Sequence, residues 1–337
     1  MNFTRRQAIT GFASWLAASP LIRAQQLEGE PPGRIPPPAE LVNSFEFEAM
    51  AQRKLGSAAF AQVADSGPRA FDRITLRPRM MVNALNLDLT TELFGEKMFA
   101  PILVGPVADQ NRFHPDAERA TVQGASDART VMVVSSRSSL PFEEIAARSK
   151  TPLWCQVYPE PDLDAVHTRI AKAVDLGAKA VCVTVGAPGA DWQSLDRLRR
   201  GIRVPVLLKG ILDPAEARTA VERGYAGIVV SNHGGRVPGM ASPIEMLPSI
   251  AGAVGGKAPV LIDGGFRRGT DILMGLALGA RAVLLARPVI WGLAAYGAEG
   301  VQILLRMLQS ELARNMAMCG KVTVGDIDRS LVTIHRR

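Results

Sequence analysis

The chain has 337 residues, of which 47% are hydrophobic and 21% charged, with a formal net charge of +7. These values describe an ordinary globular core, large enough for one α/β barrel or two small domains. No uninterrupted apolar run reaches the roughly 18 residues that a bilayer crossing needs. Arg5, Arg6 and Arg23 carry three of the seven charges within the first 24 residues, so no basic block suited to nucleic acid remains.

Residues 1–24 open with Thr4-Arg5-Arg6, continue through the apolar region from Ala8 to Ala18 and reach a small-residue position at Ala24. This resembles a twin-arginine export signal, which implies a periplasmic protein that is folded and loaded with cofactor before export. The alternative is a disordered basic N-terminus on a cytoplasmic protein. Residues 25–40, with Pro31, Pro32, Pro36, Pro37 and Pro38, read as an extended tether. The folded domain is expected over residues 41–337.

Within that domain, Phe45, Met50, Leu55 and Phe60, broken by Gly56, predict one or two short helices that cap the rest. Eight short apolar runs follow: 101–105, 131–134, 153–157, 180–185, 205–208, 226–230, 259–262 and 282–285. Helical patterns fill the intervals, at 163–176, 214–223 and 269–278 among others. Alternation of strand and helix predicts a parallel sheet, which a doubly wound open sheet or a closed barrel would equally give; the count of eight, together with the family resemblance given below, decides for a (β/α)8 barrel. One or two further helices are expected from Ala298 to Met318. If Gln156 and Thr184 face the barrel interior, Cys155 faces outward and Cys182 inward, so these two thiols do not pair.

The C-terminal ends of the predicted strands gather polar residues on one rim. They are Pro106 to Ala108, Ser135, Gln156 and Tyr158, Thr184, Lys209, Ser231 with His233 and Arg236, Asp263, and Arg287. Lys209 follows the buried run Val206-Leu207-Leu208, and a lysine so placed ordinarily has a task. His233 and Arg236 offer a base and a carboxylate clamp within one turn, which suits a substrate held by its acid while a proton leaves. Loops after the last two strands of a barrel commonly hold a phosphate.

Three motifs together, SNHGGR at 231–236, DGGFRRGTD at 263–271 and ARPVIWGLAAYGAEG at 286–300, resemble the FMN-dependent α-hydroxy acid dehydrogenase and oxidase family. The resemblance runs from about residue 41 to 330 and implies an FMN-binding barrel. It places the Pro106-Val107-Ala108 backbone against the flavin, has Ser135, Gln156 and Thr184 bond its ring, and puts Lys209 near N1. It assigns Ser231 and Asp263 to the ribityl chain, and Gly264, Gly265, Arg267, Ala286 and Arg287 to the phosphate. It makes His233 the base, Arg236 the carboxylate clamp and Tyr158 a partner of the substrate oxygen. The implied reaction is oxidation of a 2-hydroxy acid to the 2-oxo acid, with a hydride equivalent passing to flavin N5 and on to oxygen, a quinone or a cytochrome. A homotetramer is the implied assembly, and no metal is.

Several positions depart from the family. The fourth strand ends in Thr184-Val185-Gly186 where the family has an aspartate that pairs with the histidine. Ser135-Ser136-Arg137 replaces Ser-Ser-Trp, the family's N-terminal tyrosine falls near Gln62, and the arginine-bearing fourth loop has shrunk to residues 187–191. Arg137 is the candidate replacement clamp for the substrate carboxylate, and Asp109 or Asp191 the candidate partner of His233. A histidine without its carboxylate loses about 3 kcal/mol of support, roughly a hundredfold in rate. The rival reading is therefore a flavin-binding barrel that has lost turnover and relays electrons; a third is a barrel that binds a phosphorylated metabolite without redox chemistry.

Overall fold

In a computed structural model of the chain, residues 34–65, 69–79, 86–186, 191–235 and 241–335 are described. Eight parallel strands close into a barrel: β1 (Ile102–Val104), β2 (Val131–Ser135), β3 (Leu153–Val157), β4 (Val181–Thr184), β5 (Val206–Ile211), β6 (Gly227–Val230), β7 (Val260–Asp263) and β8 (Ala282–Leu285). Each pairs with its successor, and β8 returns to β1 with Val283 opposite Ile102 and Leu285 opposite Val104. All eight lie at the apolar runs read from the sequence. The helices Leu163–Asp175, Pro214–Glu222 and Gly269–Ala277 fall where their periodicity placed them.

Both faces of these strands are buried, as expected of a parallel sheet covered by helices. Leu103, Val131, Val133, Trp154, Cys182, Leu207, Val229, Leu261 and Leu284 point inward and form one cluster. Their neighbours Val104, Met132, Val134, Cys155, Val183 and Leu208 point outward into the layer under the helices. Cys155 and Cys182 therefore face opposite ways, and both are free. Burial pushes each thiol up to about 12, which makes them inert apolar fillers.

The barrel floor is closed by an element that the sequence reading did not name. A hairpin, Thr91–Leu93 paired with Glu96–Met98, inserts Leu93, Phe94 and Met98 into the interior cluster, with the Phe94 ring 5.7 Å from that of Trp154. The helix Ser44–Lys54, capped by Asn43, instead lies along the C-terminal helix Arg287–Met318, where Phe47 meets Tyr296 edge-on at 6.0 Å. The Ser44 hydroxyl donates to the Arg267 carbonyl, which ties this helix to the loop after β7. The helix Ser57–Phe60 follows.

The C-terminal helix Arg287–Met318 is two helices joined at a kink at Tyr296 and Gly297; the second begins at the expected Ala298, and the first precedes it. It is long and apolar enough to cross a membrane, but 72% of its most apolar window is buried within the protein, as in a core helix. A ribbon of Ile74–Leu76 against Val332–Ile334 joins the two ends of the domain. Trp154 is 2% exposed and fills the barrel above the hairpin. Trp154→Ala is expected to cost about 3–5 kcal/mol, read as a lowered urea midpoint of the flavin-free protein.

Candidate active site

Register between neighbouring strands sets Ser135 opposite Gln156 and Thr184 opposite Lys209, so the polar ends of β2 to β5 stand side by side at the C-terminal mouth. The Gln156 amide donates to the Thr184 hydroxyl at 2.9 Å. Lys209 Nζ donates to Ser231 Oγ at 3.0 Å and pairs with Asp263 Oδ2 at 2.7 Å. The contact spans the adjacent strands β5, β6 and β7. Ser231 Oγ in turn accepts the His233 backbone amide at 3.2 Å. Two acceptors in this group, Gln156 Oε1 and Asp263 Oδ1, are buried with no partner among the described residues. Native interiors rarely leave such atoms unmatched, and their place at a barrel mouth fits a polar ligand.

His233 stands in a left-handed turn, φ +53°, just before Gly234 and Gly235. Its ring is wedged over two glycines: a Cβ at Gly210 would lie 2.7 Å from it, and one at Gly186 3.0 Å from Nε2. Both have positive φ, +112° and +93°, so only glycine leaves room for the imidazole there. Burial, and then the Lys209 charge, push the His233 pKa below its ordinary value. Asp263 and a hydrogen bond from the ring to the Val185 carbonyl oppose them. The balance favours the neutral imidazole.

Where the family's carboxylate is missing at Gly186, the ring has the Val185 carbonyl one residue earlier, which is the smallest of the four influences on its charge. Neither acidic residue proposed from the sequence plays that part. Asp109 pairs with Arg112 at 3.4 Å, and Asp191 caps the helix Trp192–Arg199 by accepting the Ser194 amide. Arg137 lies 4.2 Å over the Tyr158 ring, which joins those two rim residues. The Ser135 hydroxyl accepts the Arg137 amide. Pro106, Val107 and Ala108 follow β1 at the same mouth, next to Gly105, whose amide donates to Leu285 of β8. Arg236, the leader (1–24) and residues 187–190 of the fourth loop lie outside the described residues.

On the side of β7 and β8, Gly264 and Gly265 turn away from the Asp263 strand end, and Ala286 leads into the C-terminal helix. Arg267 is 2% exposed and stacks 4.7 Å over Trp291. Its guanidinium grips Asp65 at both oxygens, 3.0 and 3.1 Å, and donates to the Phe266 carbonyl. Arg287 reaches the same Asp65 at 3.5 Å. Neighbouring Arg268 is held by Glu311. The sequence reading missed Asp65, a single acidic residue in a polar stretch, and Val185, whose contribution is backbone.

A closed parallel barrel whose mouth carries a neutral imidazole, a buried ammonium and unmatched acceptors, with two guanidiniums after its last strands, is the frame of an oxidoreductase built around a phosphate-bearing organic cofactor. Residues 56–191 and 186–334 match the model of the family described as FMN-dependent dehydrogenase. L-lactate oxidase of a Nostoc strain is 35% identical over 86% of this chain and 98% of its own length. Glycolate oxidase of Spinacia oleracea is 32% identical over 86% of this chain and 95% of its own. The crystal structure of mandelate oxidase with (S)-2-phenylpropionate superposes with a TM-score of 0.83 at 34% identity, covering 88% of this chain and all of that one. The chain belongs to the FMN-dependent dehydrogenase family, and FMN is its cofactor.

The packing of His233 yields a direct test. In an NMR titration the wild-type imidazole should titrate below its ordinary value of about 6.5. Gly210→Ala, which puts a methyl group where the ring now lies, should move that titration up toward it as the imidazole is expelled into solvent. An unchanged titration would show that the ring is not wedged there.

Proposed function

We propose that this chain oxidises a 2-hydroxy acid to the 2-oxo acid, with His233 as the base and oxygen as the final electron acceptor. The observation that carries the reading is the neutral His233 imidazole, wedged over Gly186 and Gly210 at the same mouth as Lys209 and the unmatched acceptors. FMN, when bound, would supply the two-electron acceptor for the oxidation. The protein residues bind, orient and move the proton. Gln156, Thr184 and Ser135, with the 106–108 backbone, would hold the flavin ring. Ser231 and Asp263 would hold its ribityl chain, and Gly265, Arg267 and Arg287 its phosphate, with Gly264 and Ala286 beside them.

A base must be unprotonated to work, and burial with the Lys209 charge keeps His233 so. Once it has taken the proton, its charge is met by the Val185 carbonyl and by Asp263. Lys209, fixed by Asp263 and Ser231, presents a preorganised cation where negative charge gathers on the ring. Arg236 clamps the substrate carboxylate. Arg137 and Tyr158, stacked on one another, supply a second clamp and a bond to the substrate oxygen. The names of the relatives support oxygen over a quinone or cytochrome. The twin-arginine-like leader supports export to the periplasm, and the family resemblance supports a homotetramer.

Anaerobic mixing of the yellow protein with glycolate, L-lactate and L-mandelate in turn should bleach the flavin with at least one. A flavoprotein indifferent to a wide panel of hydroxy acids would sink the enzyme reading in favour of the electron relay. His233→Gln should keep its flavin yet lose roughly 10²–10⁴-fold in the rate of bleaching. Because the pKa of His233 is depressed, kcat/KM should stay flat as pH falls through about 6.5 and decline only below it. Arg137→Ala should raise KM by about tenfold or more with kcat less affected, and an unchanged KM would remove Arg137 from the clamp.

A further inference from the structure

The loops after β7 and β8 are where a barrel's phosphate donors are expected, yet in this chain carboxylates already occupy them. The helix Gly269–Ala277 opens with backbone amides that ordinarily attract an anion. Those of Arg267 and Arg268 donate to Asp271 at 2.8 and 2.9 Å, and that of Gly269 to Glu311 at 2.7 Å. The four cations around this corner are similarly matched. Arg69 pairs with Asp271, Arg268 with Glu311, and both Arg267 and Arg287 with Asp65. Glu48, which accepts the Asp65 amide at 2.6 Å, adds a second negative charge beside them.

Asp65 is held in place by its whole segment. Trp291 donates to the Val63 carbonyl at 2.8 Å, and Arg287 to that of Ala64 at 3.4 Å. These bonds anchor the backbone that carries Asp65 beside the two guanidiniums, and its carboxylate is held there by Arg267 at both oxygens. A dianionic phosphate brought to Arg267 and Arg287 meets that like charge, and in a buried corner such repulsion is weakly screened.

We propose that Asp65 competes with the FMN phosphate for Arg267 and Arg287, so that this chain discriminates only weakly between FMN and unphosphorylated riboflavin. The inference rests on the assignment of that arginine pair to the phosphate, and on the chain as a whole being the flavoprotein described above. Affinity then comes mainly from the ring and ribityl contacts around Gln156, Lys209 and Asp263. Asp65 is a cofactor-affinity residue that touches neither substrate nor flavin ring.

The test titrates the flavin-stripped full chain with FMN and with riboflavin, following flavin fluorescence. Wild type should prefer FMN by no more than roughly tenfold. Asp65→Asn should tighten FMN about tenfold and leave riboflavin unchanged. Its flavin-free form should melt lower, since a buried guanidinium has lost its partner, and FMN but not riboflavin should restore the loss. Arg287→Gln should weaken FMN alone; if it moved both ligands alike, the phosphate assignment itself would fail.

With that control in place, an Asp65→Asn protein that bound FMN more weakly would overturn the proposal. So would a wild-type preference of a thousandfold. Should Asp65→Asn not survive purification, the Asp65→Asn/Arg267→Gln pair removes anion and cation together. It should keep the wild-type FMN to riboflavin ratio, and a tenfold fall would show that Arg267 serves the phosphate despite Asp65.

Discussion

The contact on which the site depends is the Lys209 ammonium held between Asp263 and Ser231. An ammonium at the end of a buried strand carries a desolvation cost that only a close counter-charge and further hydrogen bonds offset. Here those partners come from β7 and from the end of β6, and the 2.7 Å ion pair follows from the order of the sheet, in which β5, β6 and β7 are successive neighbours. Ser231 then passes the constraint on, since the hydroxyl that receives Lys209 also receives the amide of His233. The position of the base is thereby set by the position of the cation. The fold, the charge balance and the placement of the imidazole are one arrangement.

The histidine shows how a family site tolerates the loss of a partner. A carboxylate at residue 186 would raise the affinity of the ring for its proton. A carbonyl at Val185 orients the ring but supports its charge less, and burial together with Lys209 outweighs it. The base is consequently weaker and more fully available at neutral pH. Wedging the ring over Gly186 and Gly210 supplies by packing part of the positioning that an ion pair would supply by charge. This offsets some of the hundredfold penalty inferred from the missing aspartate, because the imidazolium still has Val185 and Asp263 to face.

The barrel was legible because each strand is an uninterrupted apolar run with polar residues at its C-terminal end, and because alternation from Gln156 and Thr184 fixes which cysteine faces inward. The floor was not. Its strands are three residues each, too short for a period-two pattern, and its turn is Phe94-Gly95 with φ of +55° and +79°. That backbone suits a two-residue hairpin, but phenylalanine at its first position hides the usual Asn-Gly signal. Phe94 holds this unfavourable conformation because its ring is needed against Trp154. The Val185 carbonyl was invisible for a different reason: every residue has one, and only the packing of His233 selects it. Arg267 was read as a phosphate ligand from its motif, whereas its actual neighbour, Asp65, lies some two hundred residues away in a stretch without periodicity.

The two ends of the cofactor cleft are therefore unequal in electrostatic terms. Around Gln156 and Asp263 the protein leaves acceptors unmatched, so a ligand entering there gains hydrogen bonds at little expense of existing ones. Around Arg267 and Arg287 the protein has matched its cations internally, so a ligand gains only what exceeds the interactions it disturbs. Buried ion pairs of this kind add little net stability, while removal of one member is costly. Asp65 thus serves the flavin-free chain more than the loaded one, by keeping two buried guanidiniums compensated before any phosphate arrives. A protein that must hold its fold while its cofactor is still absent has reason to keep such a carboxylate, even where it weakens the grip on the phosphate.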